Sequence, residues 1–151
     1  MAGRLRRALT EARINLNSKA GNAEAILAEL GRLMAVNPAE TGSFHQALLD
    51  REHTGSTALG NGVAVPHARV AGVAEIRAAF VRTQNPIGFA SPDGEPVDLF
   101  FGLIVPVHAN TEHLELLAEI AELLSESDAL DRLRRAKSAA TIQATLLEPS
   151  A

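Results

Sequence analysis

The stretch PVDLFFGLIVP, from Pro96 to Pro106, constrains the fold of this chain more than any other. It is apolar almost without interruption, proline closes it at both ends, and its length suits a strand better than a helix. A strand with so few polar positions belongs in a core, covered by other elements. A second run, EIRAAFVRT from Glu75 to Thr83, offers it a neighbour of the same kind. Between them NPIGFASPDGEP carries Asn85-Pro86, Ser91-Pro92 and Asp93-Gly94, which predicts a turn-rich connection with room for a short strand over 87–89.

Helical periods lie on both sides of these strands in the sequence. Arg4, Arg6 and Arg7 are expected on a short first helix, as a solvated face. Ser18 or Asn22 can cap a helix whose apolar residues Ile26, Leu27, Leu30, Leu33 and Met34 form one buried stripe. Asn37-Pro38 is expected to end that helix, and SFHQALLDRE to form a second, short one from Ser43 that stops before Gly55. Past the strands, Asn110 or Thr111 caps a helix with Leu114, Leu117, Ala118, Ala121 and Leu124 on its apolar stripe. Ser127 opens a further helix, and Ser138 a last one that ends before Pro149. Helices flanking a small central β-sheet make an α/β or α+β domain. With 151 residues, 46% of them hydrophobic, one domain over residues 1–151 can bury a sufficient core.

The acidic balance, 18 Asp and Glu against 14 Lys and Arg, argues against nucleic acid as a partner. The absence of cysteine excludes disulfides, a thiolate nucleophile and cysteine-based zinc sites. The arginines near the amino terminus accompany no apolar run of signal length, and no apolar segment reaches the roughly 20 residues of a membrane span. The expected setting is cytoplasmic, without membrane insertion.

Chemistry concentrates in GSTALGNGVAVPHAR, from Gly55 to Arg69. Gly55, Gly60, Gly62 and Pro66 make a helix here untenable and remove bulk around His67. A short apolar strand, Val63 to Val65, leads through Pro66 to that imidazole at a strand end, where it is both held and exposed and can act as a nucleophile. Other chemistries fit poorly. Among five histidines (His45, His53, His67, His108 and His113) no pair has the i, i+4 spacing of two metal ligands on one helical face, so no metal is expected. Ser56 is not in a G-x-S-x-G elbow, and GSTALGNG has neither the ending of a P-loop nor the spacing of a dinucleotide fingerprint. His113 falls in the first turn of its helix, where a neutral imidazole can donate to an anion or simply cap the helix. Arg51 ends the preceding helix, a place where a cation also complements the dipole.

REHTGSTALGNGVAVPHAR, PVDLFFGLIVP and TEHLELLAEIAELL together resemble the IIA component of the fructose/mannitol class of the bacterial phosphoenolpyruvate-dependent phosphotransferase system, within it most closely the nitrogen-regulatory, PtsN-like branch. The likeness runs from INLNSKAGNAEAILAEL to the last helices. It implies the phosphotransferase IIA fold, with a small mixed sheet between helices. It implies that His67 accepts a phosphoryl group at Nε2 from a small HPr- or NPr-like phosphocarrier protein, that His113 hydrogen-bonds the group, and that Arg51 stabilises its charge. N–H and hydroxyl groups of Gly55, Ser56 and Thr57 would then hold phosphoryl oxygens, with no cofactor and no nucleotide in the step. Where the family carries Gly-Lys after the histidine, this chain has Ala68-Arg69, which keeps a cation and loses a glycine. Leu59, Val63 and Phe89 are each either core or part of an apolar ring around a docking partner.

Three functions follow from the resemblance: a regulatory phosphocarrier whose charge state selects target proteins, a sugar-permease component passing the group to a IIB cysteine, or a binding module that has lost phosphorylation. The presence of both histidines disfavours the third. The absence of cysteine and of any fused IIB or membrane portion favours the first.

Overall fold

The computed structural model describes residues 2–108 and 111–147, apart from the side chains of residues 2–4 and 112. Strand β6 is the long apolar run itself, Val97–Pro106, and nine of its ten residues are buried, as a strand covered on both faces requires. Strand β5 (Arg77–Ile87) pairs with it antiparallel, and β1 (Ile14–Ser18) pairs in parallel with β5. On the other side of β6, β3 (Val63–Ala64) and β4 (His67–Val70) both run parallel to it, and β2 (Ala58–Gly60) lies antiparallel beyond β3. The result is a mixed sheet of order β1-β5-β6-β3-β2, with β4 also on β6.

The period of two along β6 distributes its side chains between two cores. Leu99, Phe101, Leu103 and Val105 pack with residues of α1 (Ala2–Ala8), α4 (Thr111–Leu123), α5 (Ser127–Arg135) and α6 (Ala139–Leu147). Phe100 and Ile104 pack with α2 (Ala23–Met34) and α3 (Pro38–Thr54) on the opposite face. Gly102 lets α2 approach this second face, because a Cβ there would meet Leu30 Cδ2 at 3.0 Å and Met34 Cε at 3.2 Å. The expected architecture, helices on both sides of a small central sheet, is the one observed.

Several boundaries differ from expectation for local reasons. Asn22 caps α2 through its side chain, which accepts from Ala25 N–H at 2.8 Å. Ser18 instead ends β1, where its hydroxyl donates to the buried Glu29 carboxylate, which also accepts from Asn15 Nδ2 at 2.6 Å. Helix α3 begins at Pro38 and not at Ser43: Asn37 accepts from Glu40 N–H at 3.1 Å and proline fills the first helical position, so the dipeptide that ends one helix starts the next. β5 runs on through Asn85-Pro86 to Ile87, and the separate strand expected over 87–89 does not form. In α4 the fully buried residues are Leu116 and Ile120, followed by Leu124 just beyond the helix, whereas Leu114 is 62% exposed. Of the two caps proposed for α4, Thr111 is its first residue and Asn110 lies outside the described residues, as does Pro149 after α6. Arg6 and Arg7 are exposed, and the side chain of Arg4 is outside the description.

Arg82 closes the α5 end of the molecule. Its Nη1 donates to the carbonyls of Leu133, Arg134 and Ala136 at 2.8–2.9 Å, and its Nε donates to Leu16 O at 3.1 Å. One guanidinium thus answers carbonyls that the C-terminus of α5 leaves without helical partners.

Candidate functional site

Residues 55–70 leave the C-terminus of α3 and lie down beside β6. Gly60 and Val63 pair across a two-residue turn, Asn61-Gly62, whose φ values of 57° and 80° are both positive, as a type I′ hairpin turn requires. A Cβ on Gly62 would stand 2.8 Å from Asp98 Oδ1 and collide with Arg134 Nη2. Gly60 and Gly62 are therefore buried parts of a hairpin, and the clearance around His67 does not come from them. Gly55 is the exposed glycine of the group, with nothing within 4 Å of the position a Cβ would take.

The hairpin delivers the chain to the line of β6. Val63 and Ala64 register against Leu99 and Phe100, Pro66 O accepts from Leu103 N–H at 2.9 Å, and His67 resumes the pairing opposite Leu103. Proline has no N–H to leave unpaired at this interruption. His67 is thus the first residue of a strand in register with the most buried part of the sheet, and its side chain is half-buried. Its Nδ1 lies 2.8 Å from Val65 O. A carbonyl only accepts, so Nδ1 carries the proton, and Nε2 of the neutral ring presents a lone pair with no hydrogen-bond partner among the described residues. Burial, reinforced by the positive charge of Arg51, pushes the His67 pKa below its ordinary 6.5, against the opposing influences of the Val65 carbonyl and the Glu52 carboxylate. Near neutral pH the ring is held in its uncharged, nucleophilic form.

A cavity of about 260 Å³ opens over this ring, lined by Arg51, Ser56, Thr57, Leu59 and His67 and roofed by Leu117 and Ala121 of α4. Arg51 is in the last turn of α3; its Nη1 donates to Thr54 Oγ1 at 3.2 Å and to Gly55 O at 2.8 Å, and it is in no ion pair among the described residues. Ser56 is exposed, and its Oγ accepts from Ala58 N–H at 3.1 Å. Thr57 differs from the free donor the sequence suggested: it is buried, and both its N–H, at 3.1 Å, and its hydroxyl donate to the Glu52 carboxylate. His113 is in the first turn of α4, half-buried, on the helical face that carries Leu117 and Ala121 one and two turns further on. Arg69, two residues after His67 on the same side of β4, reaches Val107 O at 3.4 Å. Of the three apolar residues expected near the site, Val63 and Phe89 are core, and Leu59, 41% exposed, lines the cavity rim. Sequence reasoning missed Glu52, whose one signal is a carboxylate in the last turn of a helix, where the dipole disfavours it. Among the described residues no group of three or more His, Asp or Glu is arranged to hold a metal ion, and no helix is long and apolar enough to cross a membrane.

Fold and site together define a class: a three-layer mixed-sheet domain that presents a tautomer-fixed imidazole beside an arginine that, among the described residues, pairs with no carboxylate. The chain belongs to the EIIA 2 family of the phosphoenolpyruvate-dependent sugar phosphotransferase system, whose model matches residues 7–148. Families of that system pass phosphoryl groups between protein components. The chain is 40% identical over 138 residues to a nitrogen regulatory protein of Pseudomonas aeruginosa, spanning 90% of each. Its fold superposes with a TM-score of 0.89 on the nitrogen regulatory protein IIA-Ntr of Neisseria meningitidis, at 38% identity and covering 93% of this chain and 97% of that one. The mannitol enzyme IIA of Escherichia coli, solved in complex with phosphorylated enzyme IIB, shares the fold at a TM-score of 0.72 and 21% identity, over 91% and 95% of the two chains.

Proposed function

We propose that the protein is a phosphohistidine carrier of the phosphotransferase system, of the nitrogen-regulatory kind, and that His67 is its acceptor. The observation that carries this reading is the hydrogen bond from Nδ1 to Val65 O, which leaves a lone pair on Nε2 of a residue that lines an open cavity together with Arg51. An HPr- or NPr-like carrier presents its own phosphohistidine there. Nε2 attacks phosphorus in line as the donor's P–N bond breaks, and the donor imidazole leaves with the electron pair. His67 keeps its proton on Nδ1, which donates to the Val65 carbonyl, and that carbonyl stabilises the positive charge the ring acquires. The bond broken and the bond formed are of one kind, so the step needs positioning and charge stabilisation and no metal or nucleotide.

Arg51 supplies the cation for the phosphoryl oxygens, and the exposed Ser56 hydroxyl supplies a hydrogen bond; the Gly55 N–H, which donates to Glu52 O at 3.1 Å, contributes only on leaving that carbonyl. His113, in the first turn of α4 and outside the cavity's own lining, would donate from the side of that helix. Thr57 contributes its donors once they leave Glu52. The added charge, about −2, at an exposed site alters which target proteins the surface accepts. The nitrogen-regulatory role is favoured by the relatives of 38–40% identity that carry that description; onward transfer to a IIB component is the sugar-permease alternative. The test is intact-protein mass after incubation with phosphoenolpyruvate, enzyme I and the carrier protein. Wild type is expected to gain one acid-labile phosphoryl group and His67→Ala none. A wild type that stays unmodified beside a charged carrier would instead mark a binding module.

A further inference from the structure

Glu52 is out of place by ordinary electrostatics. It is a half-buried carboxylate in the last turn of α3, where the helix already concentrates partial negative charge, and it forms no ion pair among the described residues. Its sequence neighbour Arg51 bonds to Thr54 and Gly55 and not to it. What holds Glu52 is Thr57, five residues on, whose N–H and hydroxyl each donate to one of its oxygens. Thr57 in turn lines the cavity over His67, and the negative charge of Glu52 is felt at the imidazole. On its other side Glu52 borders a second cavity of about 240 Å³, with Ala23, Ser56, Gly88, Phe89 and Ala90, so the side chain has space to move into.

We propose that Glu52 stands in for the phosphoryl group: its carboxylate occupies the Thr57 donors while His67 is bare, opposes the incoming dianion, and yields those donors when the group arrives, thereby setting how readily His67 keeps or passes on its phosphoryl group. The inference rests on His67 being the acceptor. Glu52 touches no reacting atom and is a positioning residue. It forms and breaks no covalent bond; only hydrogen bonds are exchanged, with the Thr57 N–H and hydroxyl passing from carboxylate oxygens to phosphoryl oxygens and the carboxylate turning toward the second cavity and water. A carrier must also discharge, and an opposing charge that stays nearby after yielding its donors keeps the bound phosphoryl group from being held too tightly.

Two substitutions separate this role from a structural lock. Glu52→Gln removes the charge and can keep both contacts, because the threonine hydroxyl is able to accept from the amide as well as donate. Thr57→Val removes the hydroxyl and leaves the charge. The measurement is the equilibrium ratio of phosphorylated to free protein when wild type or variant is mixed with a phosphorylated HPr- or NPr-like carrier at matched concentrations. Glu52→Gln is expected to raise the ratio roughly three- to tenfold and Thr57→Val to lower it by a similar factor. A lock would move stability and leave the ratio alone. Either variant leaving the ratio unmoved, or both shifting it in one direction, overturns the proposal, and if one variant fails to fold the sign of the other decides. Wild type that takes up no phosphoryl group, or takes it elsewhere than His67, defeats the underlying functional reading; normal uptake with unshifted variants defeats this inference alone.

Discussion

Two arginines, each in the last turn of a helix, flank the segment from Gly55 to Val70, one at its hairpin turn and the other where Gly55 and His67 come together, and they are used in opposite ways. Arg134 of α5 is fully engaged. Its Nε and Nη2 grip Asp98 at 3.1 and 2.9 Å, and Nη2 also reaches Asn61 O at 2.6 Å, so the hairpin end of the segment has its charge answered. Asp93 completes that end, accepting from Asn61 N–H at 2.9 Å, and its own carboxyl is held down at about 2, first by that hydrogen bond and then by those from Ser91 and Glu95. Arg51 of α3, at the other end, donates to an uncharged hydroxyl and a carbonyl and, among the described residues, to no carboxylate, beside an imidazole whose Nε2 has no partner among those residues either. The hairpin end is a finished structure. The histidine end has unused bonding capacity, and such capacity is what a site retains for a guest.

This contrast separates function from stability among substitutions of one type. Arg51→Ala is expected to slow phosphoryl acceptance roughly a hundred- to a thousandfold, by loss of transition-state charge stabilisation, while costing under about 1 kcal/mol of folding free energy. Rapid-quench transfer assays and denaturant melts on the same sample read both quantities. Arg134→Ala should invert the pattern: about 2–3 kcal/mol of stability lost because Asp98 is left half-buried without its partner, and a transfer rate per folded molecule within about twofold of wild type. Equal losses of rate in the two variants would erase the distinction. Gly62→Ala sharpens it further, since a methyl group at φ 80° and against Arg134 and Asp98 should cost about 2 kcal/mol with no direct effect on His67.

The smallest effect is with pH. Because the folded-state pKa of His67 lies below 6.5, the ring stays neutral as the solution is acidified through 6.5, and acceptance should decline only at lower pH. The unfolded chain protonates this histidine at its ordinary value, so below 6.5 the unfolded state binds more protons and stability falls until the folded-state pKa is passed. His67→Ala should flatten that part of the stability profile. A titration midpoint at or above 6.5, followed through the His67 ring signals, would contradict the buried, neutral imidazole.

The contrast also explains how much could be read from the chain. The long apolar run of β6 and the stripe of α2 were legible because burial on a strand or a helical face leaves a periodic record. β1 was not: Ile14, Asn15, Leu16, Asn17 and Ser18 form an edge strand, and its one buried residue is the serine tied to Glu29. In α4 the helix is apolar on two sides, since Leu116 and Ile120 face the core while Leu117 and Ala121 roof the cavity, and periodicity cannot rank two such stripes. His67 could be singled out from its setting, a histidine after a short strand and a proline. The tautomer could not, because it depends on a backbone carbonyl. Nor could the Glu52 and Thr57 pair, whose contact exists only once α3 has ended and the chain has turned. The Asn61-Gly62 hairpin was within reach: Asn-Gly between short strands signals a type I′ turn, and the surrounding glycines obscured it.

The most direct test of the central claim is a long-range proton–nitrogen correlation spectrum of the protein with ¹⁵N-labelled histidine, recorded before and after phosphorylation by the carrier. Phosphorus coupling to Nε2 of His67, with Nδ1 protonated throughout, is the predicted result. Coupling at Nδ1, or at the ring of any of the other four histidines, would contradict it.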